Sequence, residues 1–142
     1  MPRPIIQFVF LLLFSVFFKT ESYSFDIQKD SVDYYLKESK KNAYDNFPKA
    51  EMLLKKAEAI AEKSKDENLI ADVAHNFGAT YYIVGSYEIS LQKYMEALFL
   101  YEKNNNKKGI LKCYIGQGLI QQGIFRNDEA IKLFKKAIEL NK

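Results

Sequence analysis

From residue 27 onward the apolar positions recur at i, i+3, i+4 and i+7, the spacing that gathers one stripe on a helix. Three segments, KAEMLLKKAEAI, ISLQKYMEALFL and EAIKLFKKAIEL, share one register. Ala50, Leu54 and Ala57 align with Ser90, Tyr94 and Ala97, and then with Ala130, Phe134 and Ala137, in steps of forty residues. A large residue between two small ones makes a knob beside two shallow places, where a second helix can come close. Each block is preceded by another helical stretch, from Ile27 to Tyr44, from about Asn68 to Val84 and from about Lys107 to Gln122. The last two stop at Gly85 and Gly123, where a residue without Cβ takes positive φ at little cost.

The partner helices are expected to start near Pro48, Tyr87 and Asp128. Pro48 suits a first helical turn, where its missing N–H has no partner to lose. Asn127 is the expected cap of the last helix, with Asp128 and Glu129 at its positive end. KSKDE and KNNNK read as exposed turns, and no sustained β alternation follows Ser24. The pattern predicts an all-α domain over 25–142, with approximate repeats at 27–66, 67–106 and 107–141. Six helices form three antiparallel pairs that bury their stripes only by stacking. For 118 residues, roughly two thirds of the unfolded surface can be buried that way.

Residues 1–24 are different. Arg3 precedes a run from Ile5 to Phe18 that is apolar apart from Gln7 and Ser15, and Lys19 closes it. Fourteen helical residues reach only ~21 Å, short of a ~30 Å hydrocarbon core. A basic start, a short apolar stretch and the small residues Ser22 and Ser24 match a secretory signal peptide, with a membrane anchor as the alternative. The expected location is therefore exported, periplasmic or extracellular, or else membrane-anchored.

Composition then removes function classes. The single Cys113 leaves no internal disulfide and no thiolate cluster, and the single His75 excludes any site needing two imidazoles. No pair of residues announces catalysis, and no cofactor is expected. A net charge of +3 gives no strong case for nucleic acid. The groups Lys37, Lys40, Lys41 and Lys103, Lys107, Lys108, Lys112 read first as solvated helix faces.

The middle pair, ADVAHNFGATYYIVGSYEISLQKYMEAL, resembles a tetratricopeptide repeat. Phe77-Gly78 stands for the family's leucine–glycine pair and Tyr81 for its first-helix aromatic. Gly85 and Tyr87 occupy the turn, and Ser90, Tyr94 and Ala97 continue the second helix. The last unit places Ile115-Gly116, Leu119, Gly123 and Phe125 before Ala130, Phe134 and Ala137, with a turn two residues longer than usual. The first unit matches mainly in its second helix, because Glu38 stands where the family prefers glycine. Over about residues 27–141 the resemblance implies a short right-handed solenoid. The step of forty against the usual thirty-four is expected to lengthen each second helix and the turn after it. Long repeats behind an exported segment also resemble the amino-terminal sensory regions of bacterial membrane regulators.

What the resemblance implies for function is protein or peptide binding on the inner, concave surface. On the middle pair it places Asp72, His75, Ala79 and Tyr82 there. On the last pair it places Cys113, Gln117 and Ile120 there, with Ile110 at the edge, and on the first it places Tyr35 and Ser39. Gly78 and Gly116, inside helices, each cost roughly 1 kcal/mol against Ala, so a close helix contact is expected to offset them. Gly118 serves the same purpose in a slipped register. Self-association, or docking to a further domain of the same protein, is the alternative to a groove-binding scaffold.

Overall fold

A computed structural model of the chain describes residues 26–141. These form six helices: α1 over 26–42, α2 Phe47–Ser64, α3 Glu67–Ile83, α4 Tyr87–Lys103, α5 Lys107–Gly123 and α6 Asn127–Leu140. Side-chain caps set three of their starts. Asn46 caps α2 by accepting from the Lys49 amide, with Pro48 in its first turn; Asp66 caps α3 through the Asn68 and Leu69 amides; Asn106 caps α5 through the Gly109 amide. Asn127 is not the cap expected of it. Arg126 takes that place, Asn127 begins the helix, and no side chain caps it.

Consecutive helices pack against one another, and α3 also touches α5, so the three pairs stack into one solenoid with α1, α3 and α5 along one side. Two cores lie between the pairs. Val32, Leu36, Leu54, Ala57, Leu69, Val73 and Phe77 join the first pair to the second. Ala71, Ala74, Ala97, Tyr101 and Cys113 join the second to the third. The aligned small residues Ala50, Ala57, Ser90, Ala97, Ala130 and Ala137 are all buried, as the stacking requires. Ser90, at a position where the other two repeats carry alanine, donates its hydroxyl to the Gly78 carbonyl at 2.7 Å and so loses no hydrogen bond on burial.

Glycine lets aromatic rings act as wedges. A Cβ on Gly78 would lie 3.0 Å from Tyr94 Cδ1, and one on Gly116 would lie 2.6 Å from Tyr94 Cε1. The Tyr94 ring thus fills space left by a glycine of its own pair and by another of the next pair. Gly109 receives Tyr101 in the same way, with Cδ2 at 2.6 Å, and Gly118 receives Phe134, with Cδ1 at 2.9 Å.

These contacts correct the register of the last repeat. The turns at 84–86 and 124–126 both have three residues, so the second is not two residues longer. Gly118 then stands forty residues after Gly78 and does its work against Phe134, forty after Tyr94. Gly116 packs instead on the preceding pair. In α1 the small buried residue is Ser39 rather than Glu38, which keeps part of its surface in water and pairs with Lys41 at 2.5 Å. The added length is also not confined to second helices, since α3 and α4 have 17 residues each.

The expected location is corrected as well. Among the described residues no helix is long and apolar enough to cross a membrane, and nothing supports export. The segment 1–24, on which both readings rested, lies outside the described residues.

Candidate functional site

The solenoid gathers α1, α3 and α5 around a groove of about 390 Å³, lined by Asp33, Leu36, Lys37 and Lys40 of α1, Asp72 and Asn76 of α3, and Lys112 of α5. Helical spacing carries its α3 wall from Asp72 through His75 and Ala79 to Tyr82, at i, i+3, i+7 and i+10 on one face. Two of these groups are held by neighbours. Tyr101 Oη donates to Asp72 Oδ1 at 2.5 Å, tying α4 to the groove wall, and the Tyr82 ring lies 5.7 Å from that of Tyr87. Asn76 donates its side-chain amide to the Asp72 carbonyl at 2.7 Å, while its Oδ1 is buried with no donor among the described residues.

His75 packs edge-on against Tyr94, with ring centroids 5.3 Å apart. Burial, more than any other cause, and then the charges of Lys112 and Lys40 push its pKa from 6.5 down to about 4, against the opposing pull of Asp72. The imidazole is therefore neutral at pH 7. The groove's positive charge comes from Lys37, Lys40 and Lys112, none of which is in an ion pair among the described residues.

The last pair does not present the residues expected of it. Cys113 and Ile120 are 0% and 1% exposed, Gln117 is buried, and Ile110 packs on the second core. The expectation followed from setting the register on Gly116. With Gly118 aligned to Gly78, the counterparts of Asp72, His75, Ala79 and Tyr82 are Lys112, Ile115, Leu119 and Gln122, and all four are exposed. In the first pair Ser39 is fully buried, so it is not available to a partner. Tyr35 packs on the first core beneath Lys56, whose Nζ is 5.8 Å from the ring, and so lies away from the groove. Asp33, Lys37 and Lys40, which the sequence reading missed at this site, stand there instead.

Nothing in the groove forms a reaction centre. Cys113 is buried, and burial raises its thiol pKa to about 12. Among the described residues no group of three or more His, Cys, Asp and Glu side chains could hold a metal ion.

The tetratricopeptide repeat model matches residues 69–142, slightly more than half of the chain. The chain belongs to the tetratricopeptide repeat family. As a member it is a noncatalytic protein-interaction module with an all-α, six-helix solenoid fold. It is similar to the crystal structure of the TPR domain of Arabidopsis FLU at 22% sequence identity, with a TM-score of 0.67, over 79% of this chain and 95% of that one. That likeness concerns the fold. A search of curated proteins finds no match. Neither similarity points to bacterial membrane regulators, and that part of the expectation is dropped.

Proposed function

We propose that this repeat protein binds a peptide segment of another protein along its concave face. An acidic side chain of that segment would sit between Lys40 and Lys112, with apolar residues against Tyr82, Ile115 and Leu119. The observation that carries the reading is the convergence on one groove of Lys37, Lys40 and Lys112, none of them in an ion pair among the described residues. Asp33 and Asp72 face the same groove, and Tyr101 already engages Asp72. An isolated carboxylate is therefore favoured over a long acidic run.

The test is selection of peptides from a random display library on the full chain, followed by titration of the selected peptides. Binders should be enriched in Asp or Glu at one position. Lys40→Glu and Lys112→Glu should weaken them, and Tyr82→Ala should do so with little change in thermal midpoint. A selected peptide that binds all these variants as well as it binds the parent would overturn the assignment.

A further inference from the structure

A second cavity, of about 280 Å³, opens between α2 and α4, where the first pair meets the second. Ala61, Ile70, Val73 and Ala74 form its apolar floor, and Glu58, Glu62, Lys93 and Glu96 line it from α2 and α4. It shares no residue with the concave groove. The forty-residue step shows what such a space holds. The equivalent cleft lies between α4 and α6, where Glu102, Tyr114 and Lys136 stand forty after Glu62, Ala74 and Glu96. There the Tyr114 ring occupies the cleft: Lys136 Nζ lies 5.4 Å from its centroid, and burial together with the Glu102 carboxylate raises its phenol pKa. Deeper down, volume is exchanged rather than lost. Ala61 stands for Tyr101, but the buried Leu69 stands for Gly109, on which Tyr101 packs. Ala74 has no such compensation. The cavity is the place of one aromatic ring that the chain itself supplies in the next cleft.

Charge selects what that ring should carry. In the second cleft the positions of Glu58 and Glu96 hold Leu98 and Lys136. The first cleft therefore has three carboxylates against one ammonium, and Lys93 already pairs with Glu96 at 2.8 Å. Glu58 and Glu62 stand one turn apart on α2, where like charges repel. Neither is in an ion pair among the described residues. A cation beside them relieves that repulsion, whereas an anion adds to it. Helices on three sides leave room for one ring and a short chain, which favours a free amine over a side chain carried on a polypeptide.

We propose that this cleft binds a small aromatic amine, with its ring over Ala74 and its ammonium group toward Glu58 and Glu62. Tyramine titrated into the labelled full chain should bind saturably, with a Kd of about 1 mM or tighter. It should shift the amide and methyl signals of Ile70, Val73, Ala74 and Leu100. The carboxylate para-hydroxyphenylpropionate, with the same ring and a chain of similar length, should bind at least about tenfold more weakly. Ala74→Tyr, which supplies the ring in place, should abolish binding. Glu58→Gln with Glu62→Gln, neither residue being buried, should weaken it about tenfold without disturbing the packing. No saturation up to about 10 mM tyramine would overturn the proposal. So would equal binding of the carboxylate, tyramine binding untouched by either variant, or binding of a tyrosine–lysine dipeptide where free tyramine does not bind.

Discussion

Replacing each helical glycine by alanine separates contact from conformational preference. In a helix interior alanine is favoured over glycine by about 1 kcal/mol, so a glycine in open space would be improved by the change. Carbon atoms rest comfortably ~3.5–4.0 Å apart. At Gly78 the new Cβ would meet Tyr94 at 3.0–3.1 Å, so the ring must yield by roughly half an ångström. At Gly116 the same ring lies at 2.6–2.7 Å or closer, and at Gly109 the Tyr101 ring is as near. There the rings must move by about 1 Å, and both are buried between two helix pairs. Overpacking of that kind costs typically 1–3 kcal/mol. The helix-propensity gain offsets part of it. Gly78→Ala should therefore change stability by less than ~0.5 kcal/mol, whereas Gly116→Ala and Gly109→Ala should each lose about 1–2 kcal/mol. For a domain of this size that is a fall of roughly 4–8 °C in thermal midpoint. Urea denaturation followed at 222 nm gives the same ranking if the slope m stays constant. Equal effects at Gly78 and Gly116 would refute the wedge role of Tyr94.

Three further outcomes follow from buried or strained groups. His75 has a folded pKa of about 4 against 6.5 unfolded, so the unfolded chain takes up the proton first. Stability should be full above pH 6.5 and fall by up to ~3 kcal/mol as pH drops to 4; His75→Gln should flatten that slope in urea midpoints taken at several pH values. Glu38, Glu51 and Glu67, whose pKa values are lowered chiefly by hydrogen bonds from Lys41, Tyr81 and Lys103, lose their contributions only below 4.5, outside most of that window. Cys113, wholly buried with its thiol pKa raised, should react with iodoacetamide only after denaturant is added; fast labelling of the folded chain would contradict the packing of α5. Phe125 holds φ +64° with its ring 89% exposed, at the position where the preceding repeat has Gly85. Phe125→Gly should gain about 0.5 kcal/mol, relief of left-handed strain less the added freedom of the unfolded chain, and a thermal midpoint no higher than the parent's would contradict this.

The helix pairs were legible because a period of 3.6 within helices and a period of forty between them reinforce each other at Ala50, Ser90 and Ala130. The turn residues were less so. KSKDE and KNNNK marked two turns by their polarity, but Lys65, Asn105 and Phe125 all take positive φ without being glycine, and Gly123, expected to do so like Gly85, ends α5 while Phe125 takes the left-handed position. The inner face of the last pair was misread for one physical reason. Gly116 and Gly118 are both small and both lie against rings, but one packs on the preceding pair and the other on its own, and composition does not say which. Applying the forty-residue step to Gly78 decides it, and Lys112, Ile115 and Leu119 follow. The α1 side of the groove was hidden because the first repeat lacks the glycine that fixes register, leaving Asp33, Lys37 and Lys40 among ordinary surface charges. Ser39, the buried small residue of that helix, carries no sequence signal that separates it from a solvated serine.

The central claim is that partners meet the face formed by α1, α3 and α5. Amide and methyl chemical shifts of the labelled full chain, followed during titration with a selected peptide, test it most directly. Perturbations confined to Lys37, Lys40, Asp72, His75, Tyr82, Lys112 and Ile115 are the predicted result. Perturbations centred instead on Met52, Ile89, Met95 and Phe99, exposed large apolar residues of α2 and α4, would contradict it.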